Sequence, residues 1–415
     1  MKKLIKGILS QEIINNFYHL PKAVLANVVY GSPTRGLKVI GVTGTDGKTT
    51  TVNMIYQILK AAGKKVSMAS TINAVIGGKS MDTGFHITSP SPFSIQKLAR
   101  QSVDNEDEYL VLEVTSHAID QYRFWGIKFD VGVITNITHE HLDYHKTFDN
   151  YVSTKFKLLK NVKFAIINSD LNTNVLRSWD KCVNHRLITF GFSKGDFNQK
   201  ELQLKLKVPG DYNIENALAS LAVAFILNID KDIAKKTLEN FQGITGRMEE
   251  IKNNKGIKIF IDFAHTPNGL EQALKALRSS RGPKDQQTTS GRLIAVIGAE
   301  GDRDVEKRAM MGEIAQRLSN FVVVTAVDPR GQLDAINKQI AAGAQKAGAA
   351  PDRNFFVIAD REKAFDFAIN QLAKRGDTVG IFGKGHETSM NLDGKKEIPW
   401  SDKEAVVSCL DNKYG

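Results

Sequence analysis

A chain of 415 residues with 42% hydrophobic and 24% charged side chains, 33 glycines and 10 prolines has the composition of a folded globular protein and exceeds what one ordinary core can hold. Its net charge of +11 would suit nucleic acid, but the lysines and arginines are spread along the chain without aromatic interleaving, so a nucleic-acid partner is not expected and attraction of nucleotide and phosphate ligands suffices. Cys182 and Cys409 stand far apart and match no metal spacing, which excludes a disulfide framework and a structural zinc site and fits a reducing cytoplasm.

Residues 1–36 carry apolar side chains at helical spacing (Leu4, Ile5, Ile8, Leu9, Ile13, Ile14, Phe17), with a second apolar stretch after Pro21. They read as one or two short amphipathic helices that pack on the following domain or dock peripherally on a membrane or partner. Gln11, Glu12, Asn15 and Asn16 interrupt any signal-peptide core, and no apolar run reaches the length of a membrane span.

From Leu37 the pattern becomes short β-branched runs alternating with helical stretches. Lys38–Thr43, Val66–Met68, Tyr109–Val114, Val131–Thr135 and Phe164–Asn168 read as buried strands, and Asn213–Leu227 as a helix. A second cycle follows Gly246, with strands at Ile257–Phe263, Leu293–Gly298, Phe321–Thr325, Phe355–Ile358 and Thr378–Phe382. Its helices are Gly269–Ser279 and Lys307–Leu318, and 280–291 reads as a surface loop. The expected class is α/β: a central P-loop ATPase domain over 37–243 with a mostly parallel sheet, then a Rossmann-like α/β domain over 244–415.

The strongest local signal is Gly41-Val-Thr-Gly44-Thr45-Asp-Gly47-Lys48-Thr49-Thr50 between a strand and a helix. Such a turn aims several backbone N–H groups at one point, where triphosphate oxygens can sit. Lys48 would bridge the β- and γ-phosphates and the Thr49 hydroxyl would ligate Mg²⁺. Val42 stands where the commonest P-loop has glycine. Glu113 ends a buried strand and faces the crevice that open α/β sheets use for ligands, a suitable place for Mg²⁺. The segment Asn136 to His145 is dense in His and Asp, which suits either a transition metal or a second Mg²⁺ on a nucleotide.

These segments occur together with Tyr212-Asn-Ile-Glu-Asn216, Gly246-Arg-Met-Glu249, Asp262-Phe-Ala-His-Thr-Pro267, Gly301-Asp-Arg-Asp304 and Gly383-Lys-Gly-His-Glu387. In this order the chain resembles the Mur ligases of bacterial cell-wall synthesis, nearest to those adding the third residue of the peptidoglycan stem peptide, from about Leu37 to the C-terminus. The resemblance implies a carbamylated lysine at Lys155, with His141 as an imidazole ligand of a second Mg²⁺. It implies Asn216 on adenine, Arg247 on the nucleotide phosphates and Asp262 on ribose, and a closing motion over ATP. The acceptor would meet Thr88, Ser89, Thr115, Gln121 and Arg123. The incoming amino acid would meet Arg303, Asp328, Arg330, Gly383 and Glu387. Family members that add diaminopimelate carry Asp-Asn-Pro-Arg where this chain has Val327-Asp328-Pro329-Arg330, and the extra carboxylate suits lysine or another diamino acid. Few residues precede the P-loop, so the family's UDP-binding domain is expected to be missing.

The expected chemistry is phosphorylation of an acceptor carboxylate by ATP with Mg²⁺, followed by attack of an amine on the acyl-phosphate. His117 or His265 either assists proton transfer or is structural. A related ligase acting on a folyl, poly-glutamate or cyanophycin-like acceptor, and a nucleotide-binding module without catalysis, are the competing readings.

Overall fold

The computed structural model describes residues 10–82, 90–138, 140–172, 175, 186–279 and 291–411. The chain forms two compact units, one from the N-terminus to Lys207 together with Tyr212–Phe241, the other comprising Val208–Asp211 and Gln242 onward. Thr88, Ser89, Cys182 and residues 280–290, within the expected surface loop, lie outside the described residues.

The first unit opens with helix α1 (Gln11–Ile14), a π-helical turn (Asn15–His19) and α2 (Leu20–Val29). Pro21 lies inside one continuous helical path, one of the two arrangements the sequence allows. It has no N–H to bond the preceding turn, and the adjoining π-turn, in which the Leu20 N–H bonds the Asn15 carbonyl, absorbs the irregularity and lets the helical path continue.

A nine-stranded sheet follows in the order β4-β3-β2-β5-β1-β6-β7-β8-β9. Its central strands are β2 (Val66–Ala69), β5 (Tyr109–Glu113), β1 (Lys38–Thr43), β6 (Val131–Ile134) and β7 (Phe164–Asn168), all parallel to one another, while β2 pairs antiparallel with β3. Helices α3 (Lys48–Ala61), α4 (Pro92–Asp104), α5 (Ser116–Asp120), α6 (Leu142–His145), α7 (Phe148–Phe156), α8 (Gln199–Leu202), α9 (Asp211–Ile226) and α10 (Lys231–Glu239) complete the unit. The strands are apolar on both faces because each face is covered. Leu110, Leu112 and Val39 pack with Ile95 and Ala99 of α4, and Ile134, Ala165 and Ile167 pack with Tyr151 and Val152 of α7. Each such side chain contributes about 1.5–3 kcal/mol by burial. At one edge, β3 (Asn73–Ile76) and β4 (Lys79–Asp82) form a hairpin through Gly77-Gly78, both at positive φ, and at the other stand β8 (Arg186–Gly191) and β9 (Phe197–Asn198). None of these edge strands was among the expected elements.

The second unit has a six-stranded sheet ordered β10-β11-β15-β12-β13-β14. Here β11 (Lys258–Asp262), β15 (Thr378–Phe382), β12 (Leu293–Ile297), β13 (Phe321–Val324) and β14 (Phe355–Val357) are parallel, and β10 (Glu249–Ile251) is antiparallel. Helices α11 (Pro267–Ser279), α12 (Glu306–Leu318), α13 (Leu333–Lys346), α14 (Arg361–Asp366) and α15 (Asp402–Leu410) accompany it. On one face Ile259, Ile294, Val323 and Ile381 meet Phe365, Ala368 and Val406. Because adjacent strands run the same way, the loops after β11, β12, β13 and β15 emerge at one sheet edge.

Candidate active site

In the first unit the phosphate loop leaves β1 between its two parallel neighbours, and its conformation explains the residue types. Gly47 has φ +80° as the residue capping α3, and a Cβ there would run into the Asn216 carboxamide. A Cβ at Gly44 would collide with the Thr135 hydroxyl. The loop is pinned from β6. Asp46 donates its N–H to Asn136 Oδ1 (2.8 Å), Thr45 donates its N–H to the Asn136 carbonyl (2.9 Å), and Thr135 Oγ1 donates to the Asp46 carbonyl (2.7 Å). Asn136 was read only as part of a motif; its carboxamide also returns a bond to the Asp46 carbonyl (3.1 Å).

Lys48 reaches back onto the loop, donating to the carbonyls of Thr45 (2.8 Å) and Gly44 (3.2 Å). Thr49 Oγ1 donates to Glu113 Oε2 (2.9 Å), and the Thr71 N–H bonds the same oxygen (2.8 Å), so a buried carboxylate ties the start of α3 to the end of β2. Thr50, one residue on in the first turn of α3, is buried. Thr51 Oγ1 donates to Asn216 Oδ1 (3.2 Å), while Asn216 Nδ2 is buried with no hydrogen-bond partner among the described residues. A buried amide donor without an acceptor is the kind of group a ligand satisfies.

Lys155, on α7, is 2% exposed and donates to the Gly44 carbonyl (2.6 Å), with its amine 4.5 Å from the centre of the Tyr151 ring. Burial, then the nearby Lys48 charge, pushes its pKa well below the ordinary lysine value, against weaker opposition from Asp46 and Glu140. Among the described residues it forms no salt bridge. Tyr151 itself shares a hydrogen bond with Thr45 Oγ1 (3.0 Å), a contact across 106 residues that no local motif announces.

His141 sits at φ +57° with its ring 4.8 Å from that of His117, which is also 4.1 Å from Tyr144 and 5.5 Å from His145. His145 shares a hydrogen bond with Ser116 (3.0 Å). Thr115 caps α5 by accepting from the Ala118 N–H (3.2 Å). Gln121 accepts from Arg123 Nη2 (2.7 Å) and donates to the Tyr144 hydroxyl (3.4 Å), which donates to Asp120 (2.9 Å). Burial lowers the Arg123 pKa and pushes Tyr144 up to about 12. Thr49, Glu113, Lys155, His141, Thr115, Gln121 and Arg123 therefore all lie in the first unit, at the end of β5 or on the segments that follow β1, β5 and β6.

The second unit carries the rest. Asp262 ends β11 and accepts from the N–H groups of Met248 (2.7 Å) and Ala264 (2.8 Å), so it shapes its own loop. Arg247 lies over the Phe263 ring at 4.5 Å, and its buried Nε has no partner. Gly383, at φ +109°, donates its N–H to the Asp262 carbonyl (3.1 Å) and leaves no room for a Cβ beside Val327.

Lys384, to which the sequence motif alone assigns no role, is the hub of this edge. It is 1% exposed and bonds Asp328 Oδ1 (3.1 Å) and Glu387 Oε2 (2.5 Å). Its position in a glycine pair directly after a buried strand was the available signal. Burial raises the Glu387 pKa, with Lys384 opposing and Glu300 and Asp328 adding to the rise. Arg303 pairs with Glu300 (3.2 Å), and Arg330, at φ +49°, has a buried Nε without a partner. His265 shares a bond with the Phe263 carbonyl (3.0 Å); burial, then Lys307, lowers its pKa to about 4, while burial and Arg247 lower His386 to about 3. Both imidazoles are neutral at neutral pH. Beneath these loops Arg361 and Asp402, both fully buried, make a two-pronged pair (2.8 and 2.7 Å), and Arg361 also donates to the carbonyls of Ala326 and Phe382 (3.1 Å each).

A P-loop on a mostly parallel sheet, with a second α/β unit whose loops carry paired charges, defines a nucleotide-binding class of α/β protein. The Mur ligase middle-domain family matches residues 42–224, and the Mur ligase, glutamate ligase domain family matches residues 246–385. The chain is 36% identical over 406 residues to a UDP-N-acetylmuramoyl-L-alanyl-D-glutamate–2,6-diaminopimelate ligase of Clostridium acetobutylicum, covering 92% of this chain and 80% of that protein. It is 35% identical to the corresponding ligase of Clostridium botulinum, over 94% of this chain and 81% of the relative. A solved structure of such a ligase, 26% identical, superposes with a TM-score of 0.59 over 92% of this chain and 80% of the other. A MurF structure from Acinetobacter baumannii, 19% identical, has a TM-score of 0.69 over 95% of this chain and 81% of its own, and shows the fold alone. The chain belongs to the Mur ligase family of ATP-dependent ligases. Among the described residues no helix is long and apolar enough to cross a membrane.

The first-unit site suits a nucleotide and its Mg²⁺: Asn216 Nδ2 lacks an acceptor among the described residues, and Thr49 and Glu113 present oxygen donors.

Proposed function

We propose that the protein joins a diamino acid to a carboxylate of a peptide-bearing acceptor through an acyl-phosphate, forming the third residue of the peptidoglycan stem peptide. The names of the relatives at 36% and 35% identity, which specify UDP-N-acetylmuramoyl-L-alanyl-D-glutamate and 2,6-diaminopimelate, support this substrate pair. In the first step a carboxylate oxygen of the acceptor attacks the γ-phosphorus of ATP, the bond to the β-bridging oxygen breaks, and ADP leaves. In the second the amine nitrogen attacks the acyl carbon, inorganic phosphate leaves with the bonding pair, and the nitrogen loses a proton. No protein nucleophile is required, so positioning and charge supply the rate.

The N–H groups of Gly44 to Thr50 and the Lys48 ammonium hold the triphosphate, and the free amide of Asn216 takes adenine. Arg247 and Asp262 of the second unit serve the phosphates and ribose. Thr49, Glu113, His141 and a carbamate on Lys155 would hold Mg²⁺, which would supply positive charge to the transferring phosphoryl group. Thr115, Gln121 and Arg123, with Thr88 and Ser89, bind the acceptor. On the second unit Arg303 and Arg330 take carboxylate charge of the incoming amino acid, Asp328 and Glu387 take its ammonium in exchange with Lys384, and Gly383 leaves room for it.

The observation that carries the reading is the buried Lys155 amine bonded to the Gly44 carbonyl of the phosphate loop. An amine held there can add to carbon dioxide, forming an N–C bond and releasing a proton, and so become a carboxylate donor beside the loop. Lys155→Ala is expected to lose about 10–100-fold or more of the activity, with partial recovery on adding a short-chain carboxylic acid; full activity in the variant would remove the carbamate. Phosphate release measured with acceptor and amino acid omitted in turn tests the ligase itself. Release indifferent to both would rule out coupled ligation.

A further inference from the structure

The leading helical segment turns its apolar side chains outward. Ile13, Phe17, Leu25 and Val28 recur at helical spacing and are 41%, 79%, 56% and 66% exposed, whereas Asn15, Ala23, Ala26 and Asn27 are buried against the rest of the unit. The inner polar groups are satisfied, with Asn15 donating to Asp120 (2.7 Å) and Asn27 to Gln96 (3.3 Å). A surface helix ordinarily has the opposite polarity, and a row of exposed large apolar side chains marks a binding face.

Where this helix ends there is a cavity of about 580 Å³, lined in part by Asn27, Arg35, Lys38, Lys128 and Lys163. The one carboxylate in its lining, Asp130, is already bonded to Lys163 (2.7 Å) and to the Val39 N–H (3.1 Å), so the cavity is left positive. Arg35 and Lys128 are exposed and make no ion pair among the described residues. Trp125, 39% exposed, precedes Gly126 of the lining. Lys38, Asp130 and Lys163 stand at or just before the starts of β1, β6 and β7, so the cavity occupies the sheet edge opposite the phosphate loop.

We infer that this end of the first unit docks on an anionic lipid bilayer, with Phe17, Leu25, Val28 and Trp125 entering the interface and the cationic cavity receiving a lipid phosphate. Charge decides the occupant. A second copy meeting the same patch would bring like cations together, whereas an anionic leaflet attracts each of them. The first 29 residues add four lysines, at 2, 3, 6 and 22, against one acid, Glu12. The helix lies on the surface rather than crossing it.

Flotation of the full chain with phosphatidylcholine vesicles, with and without about a third phosphatidylglycerol, tests this. Binding to the anionic vesicles is expected to exceed binding to the neutral ones by at least about tenfold and to weaken with salt. Phe17→Ser/Leu25→Ser/Val28→Ser and, separately, Arg35→Glu/Lys128→Glu should each lower it by roughly tenfold. Phosphate-release turnover without vesicles should stay at the wild-type level in both, which also shows that they fold. With Trp179 and Trp400 replaced by Phe, the Trp125 emission should shift to the blue on anionic vesicles. Equal flotation of wild type and the triple-serine variant, absence of binding to anionic vesicles, or a dimer in sedimentation velocity that the serine variant dissolves would each overturn the inference.

Discussion

Replacing Arg361 by Met isolates what supports the second-unit loops. The guanidinium is fully buried, grips both Asp402 oxygens at 2.8 and 2.7 Å, and holds the carbonyls of Ala326 and Phe382 at 3.1 Å. In the variant the Asp402 carboxylate keeps the Trp400 indole N–H (2.8 Å) but loses its charge partner. Stranding one member of a buried pair costs about 3–5 kcal/mol, a factor of roughly 10²–10⁴ in the folding constant. Arg361→Met/Asp402→Leu removes the stranded charge as well and should recover most of that loss. Urea unfolding followed through Trp400, with the other two tryptophans replaced by Phe, measures both variants. Ala326 stands two residues before Asp328 and Phe382 two before Lys384, so the single variant should also raise KM for the amino acid more than KM for ATP. A cost below about 1 kcal/mol for Arg361→Met, or a double variant no more stable than the single, would refute the reasoning.

Gly47→Ala should weaken ADP binding by at least about tenfold, because φ +80° costs an L-residue about 1–2 kcal/mol and the new Cβ displaces Asn216. Equilibrium dialysis measures it, and unchanged affinity would contradict the close packing of that loop. Asp377 is buried, which by itself would raise its pKa, but the Arg292 fork (3.0 and 2.6 Å) and the N–H groups of Lys374 and Arg292 outweigh burial and hold it below the usual carboxylate range. A depressed carboxylate stabilises the fold above its unfolded pKa and loses that contribution as pH falls through the folded one. Asp377→Asn should therefore cost about 1.5–3 kcal/mol at neutral pH, with the gap to wild type closing below about pH 4. A gap in urea midpoint that stays constant on acidification would count against this linkage.

Strands buried on both faces announce themselves as β-branched runs, so β1, β7 and β15 are legible residue for residue, and the alternation with helices implies the parallel sheets. Edge strands lack that composition. The hairpin of β3 and β4 was marked only by Gly77-Gly78, and β8 opens on the exposed Arg186 and Leu187. At the site, the phosphate loop is legible because its chemistry is local: glycines where a Cβ cannot fit, and a lysine and threonine at a helix start. Its supports are not local. Tyr151 on Thr45, Thr71 on Glu113 and Asp402 on Arg361 are pairs separated by 106, 42 and 41 residues, and nothing in either partner's neighbourhood specifies the other. Strand order makes these pairings. The order β11-β15-β12-β13 sets Asp262, Gly383, Glu300 and Asp328 at one edge although they span more than a hundred residues of chain. That placement gives Lys384 two carboxylates where the sequence offers it only the one three residues on. Motif reading therefore finds the residues proposed to meet ligands, whereas residues that hold those in place become visible only when the sheet order is known.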